Sequence, residues 1–467
     1  MLSLRFVLSA FLLSTVLFCL PVAEAGEHRW GHQKPIPREL VSPLWKNYPP
    51  IFLILIDTLR FDHTSVSGYA RDTTPNLAEL AEESYVFTQA KSSSSWTMPA
   101  VSSLFWGLHP FNHGNIFEPD EDSPLPLATG SLIQTFQEQG GYHTLSIQRN
   151  KMVDYVVGDF DESYSFTGSD RLDEDAVEEA ISWLETPEAK QTRPFMFLGL
   201  FNPHWPYNAT LDQNNYFERY LNDRTFKRAE KVVIDSLPSP SGNLTMEHLS
   251  DSALERLGPP GDEDGAYRDG RMYVAAYDAG IHYTDDQLGT FFDKLKMEGL
   301  YDSSLIIVFS DHGEILLDHG ASFRHGTNLL DAELAIPLVV KFPHQKRKKE
   351  ISTLVRSFDL LPTILDWLNL EIPPMDARSM MPLLLGQRVD SDNYPVISYT
   401  DSAADTEQEG EMISLYRNGM HLIEYKDDEE QALYDLNRDP EEQSDLASDR
   451  EHLCSLLQSI LCTTYCD

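Results

Sequence analysis

Two short apolar runs end in residues that bind metals. Ile51-Phe-Leu-Ile-Leu-Ile56 leads directly into Asp57, and Leu305-Ile-Ile-Val-Phe309 passes through Ser310 into Asp311-His312-Gly313-Glu314. Two carboxylates and an imidazole converging from strand ends make a hard-to-borderline divalent metal site. Either Asp taken alone has a second reading, as a cap on the helix that follows. Thr97, in Trp96-Thr-Met-Pro99, reads as the N-cap of a helix with Pro99 in its first turn and Val101 and Leu104 following. A helix start offers N–H groups and positive potential to an anionic oxygen, and a nearby metal would lower the pKa of the hydroxyl. Thr97 therefore reads either as a nucleophile or as a cap only. Asp278 and His282 stand one helical turn apart, a spacing that can also hold an ion.

These residues need a framework that brings strand ends together. Ile51–Ile56, Pro194–Phe201, Leu305–Phe309 and Pro337–Phe342 are short, apolar and rich in branched or aromatic side chains, as strands buried on both faces are. Helical patterns lie between them: Asn76–Ser84 behind Thr74-Pro75, Glu174–Leu184, and Met272–Leu295. Alternating strands and helices predict an α/β fold, a mostly parallel central sheet with helices on both faces. In such sheets ligands bind beyond the carboxyl ends of the strands, where Asp57 and Asp311 fall. Residues 209–268 are polar and read as an insertion. From residue 390 short strands at Ile413, His421 and Ala432 precede a helix over Asp449–Leu461, a small C-terminal α+β subdomain.

The remainder sets the context. Residues 1–25 have the basic start, apolar run and Ala23-Glu24-Ala25 end of a signal peptide, which predicts a secreted or periplasmic protein with no stable membrane span after cleavage. Residues 26–47 read as a linker, 48–389 as the catalytic domain and 390–467 as the subdomain. A formal charge of −38 argues against a nucleic-acid partner. Cys454, Cys462 and Cys466 cluster at the C-terminus, an odd number that allows at most one intrachain disulfide there. Asn208 and Asn243 sit in glycosylation sequons.

The motifs taken in order resemble those of the sulfatase family. They are Asp57-Thr-Leu-Arg-Phe-Asp-His63, Thr73-Thr-Pro-Asn-Leu77, Trp96-Thr-Met-Pro99 with Gly107, Tyr277-Asp-Ala-Gly-Ile281, Asp285-Asp-Gln-Leu-Gly289, Ser310-Asp-His-Gly-Glu314, Asp359-Leu-Leu-Pro-Thr363 and Leu433-Tyr-Asp-Leu-Asn-Arg-Asp-Pro440. The resemblance runs from about residue 50 to 450. It implies the alkaline-phosphatase-like fold and metal-assisted attack on a tetrahedral ester, with Asp57, Asp311 and His312 as metal ligands. It implies one divalent ion, calcium by family habit, with manganese, magnesium or zinc also compatible. His204 and His325 resemble the family's substrate-binding or acid residues, with His319 a weaker candidate. Arg324 beside His325 could hold an anion. The helix matching Asp278 and His282 is structural in the family. Asn202 stands where two-metal relatives present Asp, which favours one metal.

The chain also departs from that pattern. Sulfatases carry a Cys or Ser that is oxidised to formylglycine in a Cys/Ser-x-Pro-x-Arg motif; here the stretch is Thr97-Met-Pro-Ala-Val101. Threonine cannot become that aldehyde by the same route. A threonine ester has no collapse pathway and must be cleaved by water at the central atom, which favours phosphoryl over sulfuryl substrates. The family's Lys-x-His motif is replaced by Gln148-Arg149-Asn150, where Arg149 could restore the lost positive charge. The reading is a metal-dependent hydrolase of small-molecule, glycan or lipid sulfate or phosphate esters, with Thr97 attacking and His204 or His325 protonating the leaving oxygen. The rivals are a catalytically silent sulfatase-like binding protein and a phosphoryl-group transferase.

Overall fold

The computed structural model describes residues 48–119, 124–127, 130–167, 172–205, 207, 270–316, 318–320, 323–389, 395–401, 410–426 and 430–465. The segments read as a signal peptide, a linker and the 209–268 insertion, with Asn208, Asn243 and Cys466, lie outside the described residues. Strand β1 (Ile51–Ile56) is hydrogen-bonded on both sides, to β5 (Pro194–Leu200) and β6 (Leu305–Phe309), both parallel to it. Around this trio lie β2 (Tyr85–Lys91), β3 (His143–Gln148), β4 (Glu162–Ser165), β7 (Ala335–Lys341), β8 (Lys349–Ile351) and β9 (Val355–Arg356). The sheet order is β4-β3-β5-β1-β6-β7-β2-β8, with β9 also on β2. Only β7 runs against its neighbours, so the expected mostly parallel sheet is what forms.

Both faces of β1 are buried, and its residues alternate between two cores. Ile51, Leu53 and Leu55 join one core with Val101, Phe105, Phe136 and Leu365. Phe52, Ile54 and Ile56 join the other with Leu77, Val177, Tyr277 and Phe291. Period-two alternation on a strand covered twice explains the unbroken apolar run. The helices Thr97–Trp106, Leu132–Glu138 and Leu360–Leu368 cover the first face; Pro75–Ala81, Asp173–Glu185 and Gly270–Met297 cover the second.

A second sheet, antiparallel in the order β10 (Val396–Asp401), β11 (Glu411–Arg417), β12 (Met420–Tyr425) and β13 (Glu430–Asp435), forms the C-terminal part. One face packs Val396, Met412 and Ile423 on Leu329, Leu330 and Leu334. The other carries the Glu451–Tyr465 helix through Cys454, Leu457 and Leu461. Cys454 is a buried free thiol.

Candidate active site

Adjacent strands β3, β5, β1 and β6 deliver their carboxyl ends to one edge, and the site is built there. Asp57 and His312 are fully buried and Asp311 is 2% exposed. His312 Nε2 lies 3.7 Å from Asp57 Oδ1 and 3.5 Å from Asp311 Oδ2. The three offer ligand atoms all within 4.8 Å of one another. The imidazole is oriented: its Nδ1 faces the Gly313 carbonyl at 2.8 Å, and since a carbonyl only accepts, Nδ1 donates and Nε2 turns a lone pair inward.

These atoms suit a cation. Asp57 Oδ1 and Asp311 Oδ2 are buried with no hydrogen-bond partner among the described residues. Burial, and then the neighbouring charge of Asp311, pushes the Asp57 carboxyl well above the usual range, and burial raises Asp311 too. Burial, followed by His325, holds His312 well below its ordinary value, so it stands neutral as a metal ligand must. Two buried carboxylates facing each other are costly without a positive partner. A divalent ion would supply that partner.

The turn after β1 is strained to aim Asp57. Thr58 has φ of 57°, in the left-handed region that β-branched residues avoid. The Tyr277 hydroxyl donates to the Thr58 carbonyl at 2.6 Å and accepts the Arg60 N–H at 3.0 Å. Ser310 accepts the Leu59 N–H at 3.0 Å while donating to the His312 carbonyl at 2.7 Å, tying the loops that carry Asp57 and His312 together. At Gly313 a Cβ would lie 2.1 Å from the Ala332 carbonyl oxygen, so the loop holding His312 needs glycine.

Thr97 reaches the same space. It is the first residue of its helix, the N-cap being Trp96, whose side chain makes no capping bond. The expected cap role is thus corrected by one position, leaving the Thr97 side chain free of that duty. Its Oγ1 stands 3.2 Å from His312 Nε2 and accepts from Asn150 Nδ2 at 3.1 Å. Asn150 Nδ2 also donates to Asp57 Oδ2 at 2.5 Å.

His204 and His325 are the half-buried members and sit beside His312. The His325 ring centroid is 4.6 Å from that of His312 and 4.8 Å from that of His204. Burial and then His325 push His204 down to about 3, and its Nδ1 faces the Trp205 carbonyl. Burial also works against a charged His325, but Glu314, 3.3 Å from its Nδ1, outweighs it and raises the pKa. Arg149 is engaged at the ends of β3 and β5, donating to Asn202 Oδ1 at 3.0 Å and Asp173 Oδ1 at 3.3 Å. Arg324 follows the same loop as His325, its main chain bridged to Ile315. His319 lies apart, its Nε2 on the Glu441 carbonyl at 3.1 Å. Asp278 and His282 do not share a centre: Asp278 holds His63 at 2.8 Å, Tyr69 at 3.0 Å and Arg71, while His282 faces the Asp72 carbonyl.

Asn150, Tyr277, Ser310 and Glu314 are working parts that composition and spacing did not single out. Each stands inside a stretch quoted above for its resemblance or its departure, yet its type and spacing alone assign it no role.

The sulfatase family model matches residues 49–370, more than half of the sequence. The chain belongs to the sulfatase family. A second model, N-sulphoglucosamine sulphohydrolase, C-terminal, matches residues 326–461. Among relatives, the uncharacterized sulfatase YidJ of Escherichia coli (strain K12) is 25% identical over 365 residues, 70% of this chain and 69% of its own. The multifunctional alkaline phosphatase superfamily protein PehA of Trinickia caryophylli is 32% identical over 290 residues, 58% of this chain and 55% of its own. In solved structures, the phosphonate monoester hydrolase of Agrobacterium radiobacter superposes with a TM-score of 0.68 at 18% identity, covering 89% of this chain and 95% of that one. This sulfatase-family member thus has the alkaline-phosphatase-like fold and the family's chemistry, sulfate or phosphate ester hydrolysis. Among the described residues, no helix is long and apolar enough to cross a membrane.

Proposed function

We propose that this chain is a metal-dependent esterase that uses Thr97 as nucleophile and prefers phosphoryl to sulfuryl substrates. The observation that carries the reading is the placement of Thr97 Oγ1, 3.2 Å from His312 Nε2 and beside the unpartnered oxygens of Asp57 and Asp311. Asp57, Asp311 and His312 would hold one divalent ion, calcium by family habit with manganese, magnesium or zinc compatible. When bound, it would lower the pKa of the hydroxyl and neutralise the anionic ester.

Thr97 enters as its alkoxide, its proton released to solvent. Its oxygen bonds to phosphorus as the bond from phosphorus to the alcohol oxygen breaks, and His325 gives that oxygen a proton. Water then adds at phosphorus and Thr97 leaves with a proton, freeing phosphate. His325 is favoured as the acid because Glu314 backs its Nδ1, whereas His204 faces a carbonyl and stacks on Phe201 with centroids 4.3 Å apart. Arg149 and Arg324 enter as positive charge near the anionic group. The phosphoryl reading draws support from relatives described as a multifunctional alkaline phosphatase superfamily protein and a phosphonate monoester hydrolase. The substrate class is a small-molecule, glycan or lipid ester, met outside the cytoplasm if residues 1–25 act as a signal.

Purified protein with each divalent metal is assayed on aryl phosphate, aryl phosphate diester and aryl sulfate, beside Thr97→Val. Phosphoryl turnover that vanishes in Thr97→Val, with phosphate trapped on the Thr97 peptide by mass spectrometry, is the expected result. Full activity in Thr97→Val, or aryl sulfate as the best substrate, would overturn it.

A further inference from the structure

We infer that Asn150 is a catalytic residue, a fixed donor to the Thr97 oxygen throughout attack and release; this rests on Thr97 being the nucleophile. The amide can present only one face to the site. Its Oδ1 accepts the Met152 N–H at 2.8 Å as the cap of the short Lys151–Asp154 helix, so the orientation of the group is set by a main-chain bond. The NH2 must then face inward. One N–H goes to Thr97 Oγ1 at 3.1 Å and the other to Asp57 Oδ2 at 2.5 Å. Asn150 is itself buried, 8% exposed, so water does not compete for these protons.

Three consequences follow from donor chemistry alone. An amide N–H cannot take a proton, so Asn150 is not the base. A hydrogen bond to an oxygen strengthens as that oxygen gains charge, so the bond is stronger to the Thr97 alkoxide than to the hydroxyl, and catalysis rather than binding benefits. By donating to Asp57 Oδ2, the same amide orients that carboxylate and leaves its Oδ1 without a hydrogen bond. One side chain thereby orients both the nucleophile and the carboxylate beside it.

The test pairs Asn150→Asp, which keeps the shape and the capping oxygen, with Asn150→Ser, which keeps a capping oxygen on a shorter arm. Steady-state kinetics on the best aryl phosphate and thermal melts are run on both, beside Thr97→Val. Losing one such donor should lower kcat by about 100-fold or more while KM moves little. The melt identifies which variant is folded, and that variant decides. If Thr97→Val is dead and a folded Asn150 variant keeps kcat within about five-fold of the parent, this inference fails and the nucleophile stands. If Thr97→Val is fully active, both fail together. An equal rise in KM with unchanged kcat would also overturn it, because that is the signature of uniform binding.

Discussion

The Tyr277 hydroxyl reaches the Thr58 carbonyl at 2.6 Å across 219 residues of sequence and takes the Arg60 N–H on its other side. A single phenol in the Gly270–Met297 helix thus clamps a left-handed threonine next to Asp57. Tyr277→Phe should cost about 1–3 kcal/mol, because two buried main-chain groups lose their partner. It should also weaken divalent-metal binding, since the Asp57 turn is no longer held in its strained form. Metal titration by calorimetry, beside urea unfolding, checks both parts. A destabilised protein with unaltered metal affinity would reduce Tyr277 to a packing residue.

Asp278 is expected to matter for stability and not for catalysis. It is fully buried among His63, Arg71 and Tyr69, and removing one partner of a buried ion pair costs about 3–5 kcal/mol. Burial alone would raise its pKa, but His63 and Arg71 outweigh that and lower it. A carboxyl with a lowered folded pKa adds stability that is complete above its unfolded value of about 4 and is lost as pH falls through the folded value. The parent should therefore lose stability steeply below about pH 4, and Asp278→Asn should be weaker at neutral pH but less sensitive in that range. Urea midpoints across pH 2–7 read this out, and parallel curves for the two proteins would contradict it.

Asp311→Asn should act in opposite directions with and without metal. In chelator, one of two facing buried carboxylates is removed, so the melting temperature should stay level or rise. With excess divalent ion the parent should gain more than the variant, because stabilisation by a ligand follows its affinity for the folded state. Thermal melts in both conditions check the pair. A variant that falls below the parent in chelator would mean that Asp311 is held by the protein alone.

How much of this was legible in the sequence follows from where each strand lies. β1, β5, β6 and β7 are covered on both faces, so their apolar runs stand out. β3, His-Thr-Leu-Ser-Ile-Gln, and β2, Tyr-Val-Phe-Thr-Gln-Ala-Lys with its register shift, mix polar side chains into buried positions and pass unnoticed. Asp57, Asp311 and His312 could be found because a strand end is a local feature. The roles of Asn150 and Ser310 could not be read, since their partners lie 93 and 251 positions away. Thr97 was found, but its helix begins one residue earlier than capping preference suggested, because Trp96 takes the extended N-cap conformation.

The Ser310 bridge between the Asp57 and His312 loops bears on how the protein comes into being. The Leu59 N–H and the Ser310 hydroxyl meet only after β1 has found β6, a pairing between the first and the sixth strand of the large sheet to emerge during synthesis. Closing so long a loop is slow relative to local structure. Nascent chains that end before residue 305 lack Asp311 and His312, two of the three candidate ligands, however well their early helices form. An ion held by these three residues would then be taken up late in folding, once β1 and β6 have paired.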